Sequence, residues 1–215
     1  MGDFSWTQTA LTLAISLIGY WVGYRTARYQ FDLARRQGER EAANALGADL
    51  ERIEKNLGES ANAFGSTIYG MTFEPPTMHR WSDALVTPLA AADVQIVAGC
   101  LELDRRLHNF GAAVKYYRLA REAQDNARAS LKEIEARTVD EHDTAALSKW
   151  VVQKLNAESA VEHSKDPIDD ALWMMRKEHA EARTIIAELM VRVRAVAARP
   201  EPEFFPTPSG LPRFE

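Results

Sequence analysis

Asp104 and His108 stand four residues apart, a spacing that puts a carboxylate and an imidazole on one face of a helix. Together they could supply two ligands to a metal ion. His179 falls inside an apolar helical pattern and is the third plausible seed of a metal or acid–base centre. No matching pair completes the set. A ferritin-like di-iron bundle needs two Glu-x-x-His pairs and a zinc protease needs His-Glu-x-x-His, and neither occurs. A lone histidine in an apolar seam reads first as a hydrogen-bonded core residue, so no metal and no cofactor is expected. Cys100 also falls on a seam and reads as a buried, inert thiol rather than an activated nucleophile. The chain has no Gly-x-Ser-x-Gly elbow, no glycine-rich phosphate loop and no Walker motif. Catalytic residues are therefore expected to be none, and the chain is not expected to be an enzyme.

Composition narrows the class further. The chain has 215 residues, 46% of them hydrophobic and 27% charged, with a net charge of −5. That is one domain with a core, plus a short extra segment. A single cysteine rules out a disulfide framework. The charge balance argues against nucleic acid, and a basic doublet such as Arg105-Arg106 is too small for such a footprint. Of nine prolines, five lie after residue 199. The middle is thus poor in helix breakers and rich in Ala, Leu, Glu and Arg, which predicts an all-α fold.

The N-terminus carries the strongest pattern. From Phe4 to Tyr24 no residue is charged, a stretch of 21 positions or about 31 Å of helix. That length predicts a transmembrane anchor over 1–24, a modest one because Thr7, Gln8, Thr9, Thr12 and Ser16 dilute it. Leu11, Leu13, Ile15, Leu17, Ile18 and Val22 form its apolar body. Trp6 at one end and Tyr20, Trp21 and Tyr24 at the other suit an aromatic belt. Arg25, Arg28, Arg35, Arg36 and Arg40 follow it. By the positive-inside rule they place the N-terminus outside and the rest in the cytoplasm, at a bacterial inner membrane. They also offer a basic patch for lipid headgroups. Gly19 and Gly23 form Gly-x-x-x-Gly, a spacing that lets two helices approach closely in lipid. The competing reading is a buried helix of a soluble protein.

Beyond the anchor, 25–64 reads as a juxtamembrane stalk helix entering a bundle, with Leu46, Leu50, Ile53 and Leu57 as its apolar stripe. Residues 65–199 read as an elongated antiparallel bundle, about four helices in all. An apolar loop over about 65–80 opens it. Ile96, Cys100, Leu103, Leu107, Phe110, Val114 and Tyr117 begin one long seam, which continues to Ile134. Leu147, Trp150 or Val151, and Leu155 mark the buried face of the next helix. Asp166-Pro167 reads as the start of the last, and Ile168, Leu172, Met175, His179, Ala182, Ile186, Leu189, Val193 and Val196 as its seam. The tail, 200–215, is Pro-rich and extended. It either docks on a partner or straps back onto the bundle. Tyr69, Phe73, Trp81, Phe204 and Phe205 are the aromatic candidates for partner contact.

Leu50-Glu51-Arg52-Ile53-Glu54-Lys55-Asn56-Leu57, then Arg80-Trp81-Ser82-Asp83-Ala84-Leu85, then Tyr116-Tyr117-Arg118 follow the order L-x-x-I-x-x-N … W … Y. Over about residues 5–120 this resembles a loose group of uncharacterised bacterial single-pass membrane proteins with a helical cytoplasmic domain. The resemblance implies that architecture and carries no activity with it.

The sequence thus leads to a membrane-anchored helical interaction protein: an adaptor, scaffold or sensor accessory. Its expected partners are the lipid bilayer and either another protein or itself. Two alternatives stand beside it. One is a ligand-binding or catalytic bundle using polar core residues. The other is a structural homo-oligomer assembled through the N-terminal helix and the bundle seams.

Overall fold

The computed structural model describes residues 6–61, 76–77, 83–139 and 143–204. Among them are five helices and no strand: α1 Trp6–Ala61, α2 Asp83–Ala92, α3 Val94–Glu135, α4 Thr144–His163 and α5 Lys165–Ala197. The fold is all-α, as the scarcity of helix breakers predicts.

α5 is the spine. It packs along α3 and along α1. Glu51 pairs with Arg194, Gly47 faces Val193 and Glu39 reaches Arg199, so α1 runs antiparallel to α5. Arg106 pairs with Glu178, and Gly99 faces Leu189, so α3 is antiparallel to α5 as well. The 3-and-4 spacing of the seams explains the core. Leu46, Leu50, Ile53 and Leu57 of α1, Ile96 to Tyr117 of α3, and Ile168 to Val196 of α5 form one buried cluster. Asp93 caps α3 by accepting a hydrogen bond from the Gln95 amide, and Asp143 caps α4 through the amides of Ala145 and Ala146.

Three expectations are corrected. The first is the transmembrane span, and with it the inner-membrane location. No helix among the described residues is long and apolar enough to cross a membrane. Hydroxyls and an amide at Gln8, Thr9, Thr12 and Ser16 interrupt one end of the stretch, and Gly19, Tyr20, Gly23 and Tyr24 the other. What remains is no continuous apolar stretch of the length that about 30 Å of hydrocarbon needs. Leu11, Leu13, Ile15, Leu17, Ile18, Tyr20, Trp21, Val22 and Tyr24 instead stand exposed on a helix that runs unbroken from Trp6 to Ala61. Gly19 and Gly23 have no neighbour within 4 Å of where a Cβ would sit.

The second correction concerns α4. It buries no residue, and Leu147, Val151 and Leu155 are exposed. The helix lies against the distal half of α3, beyond the reach of α1, so a two-helix contact cannot enclose its apolar positions. Trp150 is the exception in part: its Nε1 donates to the Ile134 carbonyl at 2.9 Å. The third is a boundary. α5 starts at Lys165 rather than behind Asp166, because Ser164 keeps a right-handed helical backbone and joins α4 to α5 almost without a break.

α3 and α5 approach closely at one glycine. A Cβ on Gly99 would stand 2.7 Å from Leu189 Cδ2 and 3.2 Å from its Cγ. Leu189 is itself buried and has little room to move. Gly99→Ala should therefore cost about 1–3 kcal/mol by overpacking, more than the ~1 kcal/mol that alanine gains in helix propensity. On Gly47 a Cβ would meet Val193 Cγ1 at 3.6 Å, an ordinary contact. Gly47→Ala should raise stability by up to ~1 kcal/mol. Thermal melts of the two variants should move in opposite directions; a stabilised Gly99→Ala would refute the close approach.

Candidate functional site

The three polar seeds do not converge. Asp104 and His108 are exposed on α3. His179 is buried on α5, with Nε2 2.8 Å from the Leu57 carbonyl and its ring 6.3 Å from that of Phe110. It holds the last turns of α1 against the core instead of facing a cavity. No group of three His, Cys, Asp or Glu side chains able to hold a metal is found among the described residues. Cys100 is buried, and burial first, then the nearby Asp49 carboxylate, push its thiol up to about 12. A thiol so held stays protonated at neutral pH, which is the opposite of an activated nucleophile.

Polar chemistry gathers instead where the bundle ends along α1. Glu39 is buried there, and its carboxylate lies 2.7 Å from Arg36, 3.6 Å from Arg35 and 3.9 Å from Arg199. A buried carboxylate is tolerated only with such partners. Arg40 reaches Glu201 at 3.3 Å and the Arg199 carbonyl at 3.5 Å. Arg199 also donates to the carbonyl of Ala92, at the end of α2. These cations fasten the chain after α5 onto α1. The chain then runs toward the N-terminal end of α1. Arg25 Nε donates to the Phe204 carbonyl at 3.0 Å, and the Phe204 ring meets Tyr29 edge-on at 5.3 Å. Arg25 also lies over the Trp21 ring at 5.4 Å. A cleft of about 330 Å³ lies between this strap and α1, lined by Trp21, Arg25, Arg28 and Phe204 among others.

Four of the five arginines read as a lipid-facing patch thus have partners within the protein, and Arg28 lines the cleft. Phe204 packs against the chain's own α1. Tyr69, Phe73, Trp81 and Phe205 lie outside the described residues. Near them, Pro76 is buried and the Thr77 carbonyl accepts a 2.7 Å hydrogen bond from Arg52.

The largest feature is apolar. Ahead of Glu39, α1 meets only the strap among the described residues, and it exposes Leu11, Leu13, Ile15, Leu17, Ile18, Tyr20, Trp21, Val22, Tyr24 and Phe31. Monomeric soluble proteins rarely leave so much contiguous apolar surface open. Phe31 is the residue that sequence reasoning missed. An anchor must stop at Arg25, yet the spacing Leu13, Leu17, Tyr20, Tyr24, Ala27, Phe31 passes Arg25 without a slip. That 4-3-4-3-4 run was the available signal of helix pairing.

Searches against family models, curated proteins and solved structures find no match to this chain.

Proposed function

We propose that the chain is a helical interaction protein, an adaptor or scaffold, and that the free half of α1 is its docking element. The observation that carries this reading is the row of large apolar side chains exposed on α1 ahead of residue 39. Exposed apolar area of this size is stabilised only when a partner covers it. The bundle fixes the element in place: the Glu39 cluster and the strap hold α1 at its point of exit. A rigid helix presented in this way loses little conformational entropy on docking.

The test is site-specific photocross-linking in the native host. A benzoylphenylalanine at Tyr20 should give a discrete, stoichiometric cross-linked species. The same group at Trp173, which is exposed on α5, should give none. Equal yields at both positions, or no species at Tyr20, would reject docking through α1.

A further inference from the structure

The geometry points to a second copy of this chain as the occupant of the free half of α1, bound antiparallel through the seam Leu13, Leu17, Tyr20, Tyr24, Ala27 and Phe31. This rests on the docking reading above and names its partner.

Heptad spacing comes first. The six residues repeat at 4-3-4-3-4, the a and d positions of a coiled coil. Such a stripe matches another helix of the same pitch. The five large side chains of the row are between 57% and 76% exposed. At about 200 Å² each they offer on the order of 650 Å² per chain, close to the roughly 800 Å² per partner of a standard interface. Trp21, which flanks the seam, adds to this.

The opposite edge of the helix is already in use. Ile15, Val22 and Tyr29 are seven apart and lie across α1 from the seam. Tyr29 is covered there by Phe204 of the strap. The described strap, which ends at Phe204, therefore lies on one side of α1; its cleft reaches Tyr24 at the edge of the seam, and Leu13, Leu17, Tyr20, Ala27 and Phe31 stand exposed away from it.

Symmetry selects the second copy and its direction. Among the described residues, the free part of α1 reaches Gly38, ahead of the buried Glu39. The midpoint of the seam from Leu13 to Phe31 is residue 22. An antiparallel pair about that point lays one seam along the whole of the other. Leu13 then stands level with the partner's Phe31, Leu17 with the partner's Ala27 and Tyr20 with the partner's Tyr24. Each layer matches an a position to a d position, as antiparallel coiled coils require. The arrangement is isologous and closed, which is how most homodimers form. Charge agrees. A parallel pair would bring Arg25, Arg28, Arg35 and Arg36 of both copies to one level. The antiparallel pair sets Arg25 and Arg28 level with uncharged Gly19 and Ser16, and it keeps the two bundles at opposite ends.

The test uses the full chain in light scattering and disulfide mapping. At about 50 μM, light scattering should give twice the 24.1 kDa chain mass. Leu17→Glu with Tyr24→Glu should convert at least nine-tenths of it to monomer, with helix content by circular dichroism unchanged. Ile15→Glu with Val22→Glu, equally apolar positions on the other edge, should stay dimeric. Separate Tyr20→Cys and Tyr24→Cys proteins, mixed and oxidised, should join mainly to each other; Cys100 is buried and stays out of the reaction. A monomer at 50 μM overturns the proposal, as does a dimer that survives the seam glutamates. Disulfides mainly between like variants would show a parallel pair and overturn it too. If the chain is monomeric and cross-links at Tyr20 to a different protein, the docking reading stands and the second copy fails. Flotation of a monomer with phosphatidylcholine vesicles would likewise assign the face elsewhere. No cross-link of any kind at Tyr20 removes both readings.

Discussion

Phe110→Ala is expected to lower the unfolding free energy by about 3–5 kcal/mol, the range for emptying a fully buried phenyl site. Phe110 has no exposed surface, and its ring lies 6.3 Å from that of His179. The His179 bond to Leu57 brings the last turns of α1 to the same level, so three helices meet around this one ring. No single neighbour can move in to fill the space, because each is held by its own helix. In a domain of this size each kcal/mol is worth roughly 2–4 °C, so the midpoint of a thermal melt should fall by about 10 °C. Leu119→Ala, on the same helix but exposed, should change stability by less than ~0.5 kcal/mol. If the two substitutions had similar effects, Phe110 would not be the junction of the core.

Most of that core was legible in the sequence. The spacing of Leu46, Leu50, Ile53 and Leu57, the seam on α3 as far as Gln124 and the seam on α5 apart from the half-buried Leu172 mark residues that are buried, because a helix can bury only one stripe and the stripe repeats every three or four positions; beyond Gln124 the α3 seam (Ala127, Leu131, Ile134) is half-buried. His179 was legible as a core histidine on the same ground, since it falls in register with Met175 and Ala182. What periodicity does not carry is the number of neighbours. Leu147, Val151 and Leu155 on α4 have the pattern of a buried face, but only α3 passes beside them, and one helix cannot enclose another. The N-terminal stretch shows a related limit. A run free of charge is common to lipid-spanning helices and to helices that pair with helices. Only mean hydropathy and the continuation of the spacing past Arg25 separate the two. The strap over residues 200–204 was open in the sequence as one of two fates for the tail, because the acceptors that hold these residues, Glu39 and the Phe204 carbonyl, lie far from Arg199 and Arg25 along the chain.

His179→Ala should cost about 3 kcal/mol, from the lost hydrogen bond to Leu57 and the space left by the ring. A second variant separates the two contributions. His179→Phe keeps an aromatic ring of similar size beside Phe110 but cannot donate to the Leu57 carbonyl, so it should cost only about 1 kcal/mol. The location of the damage is the sharper measurement. The bond ties α5 to the last turns of α1, some 20 residues beyond the Glu39 cluster at the other end of their contact. Losing it should release the end of α1 first. Amide exchange in His179→Phe should therefore speed up over Leu50 to Leu57 while Val193 and Val196 keep their protection. Uniform acceleration across α1 and α5 would mean that the bond has no local role and that the histidine acts by volume alone. The selective result would also separate the two ends of α1 functionally. The His179 end belongs to the core. The half ahead of Glu39, held among the described residues by the ion cluster and the strap, would keep its exchange rates in this variant and remain free to pair.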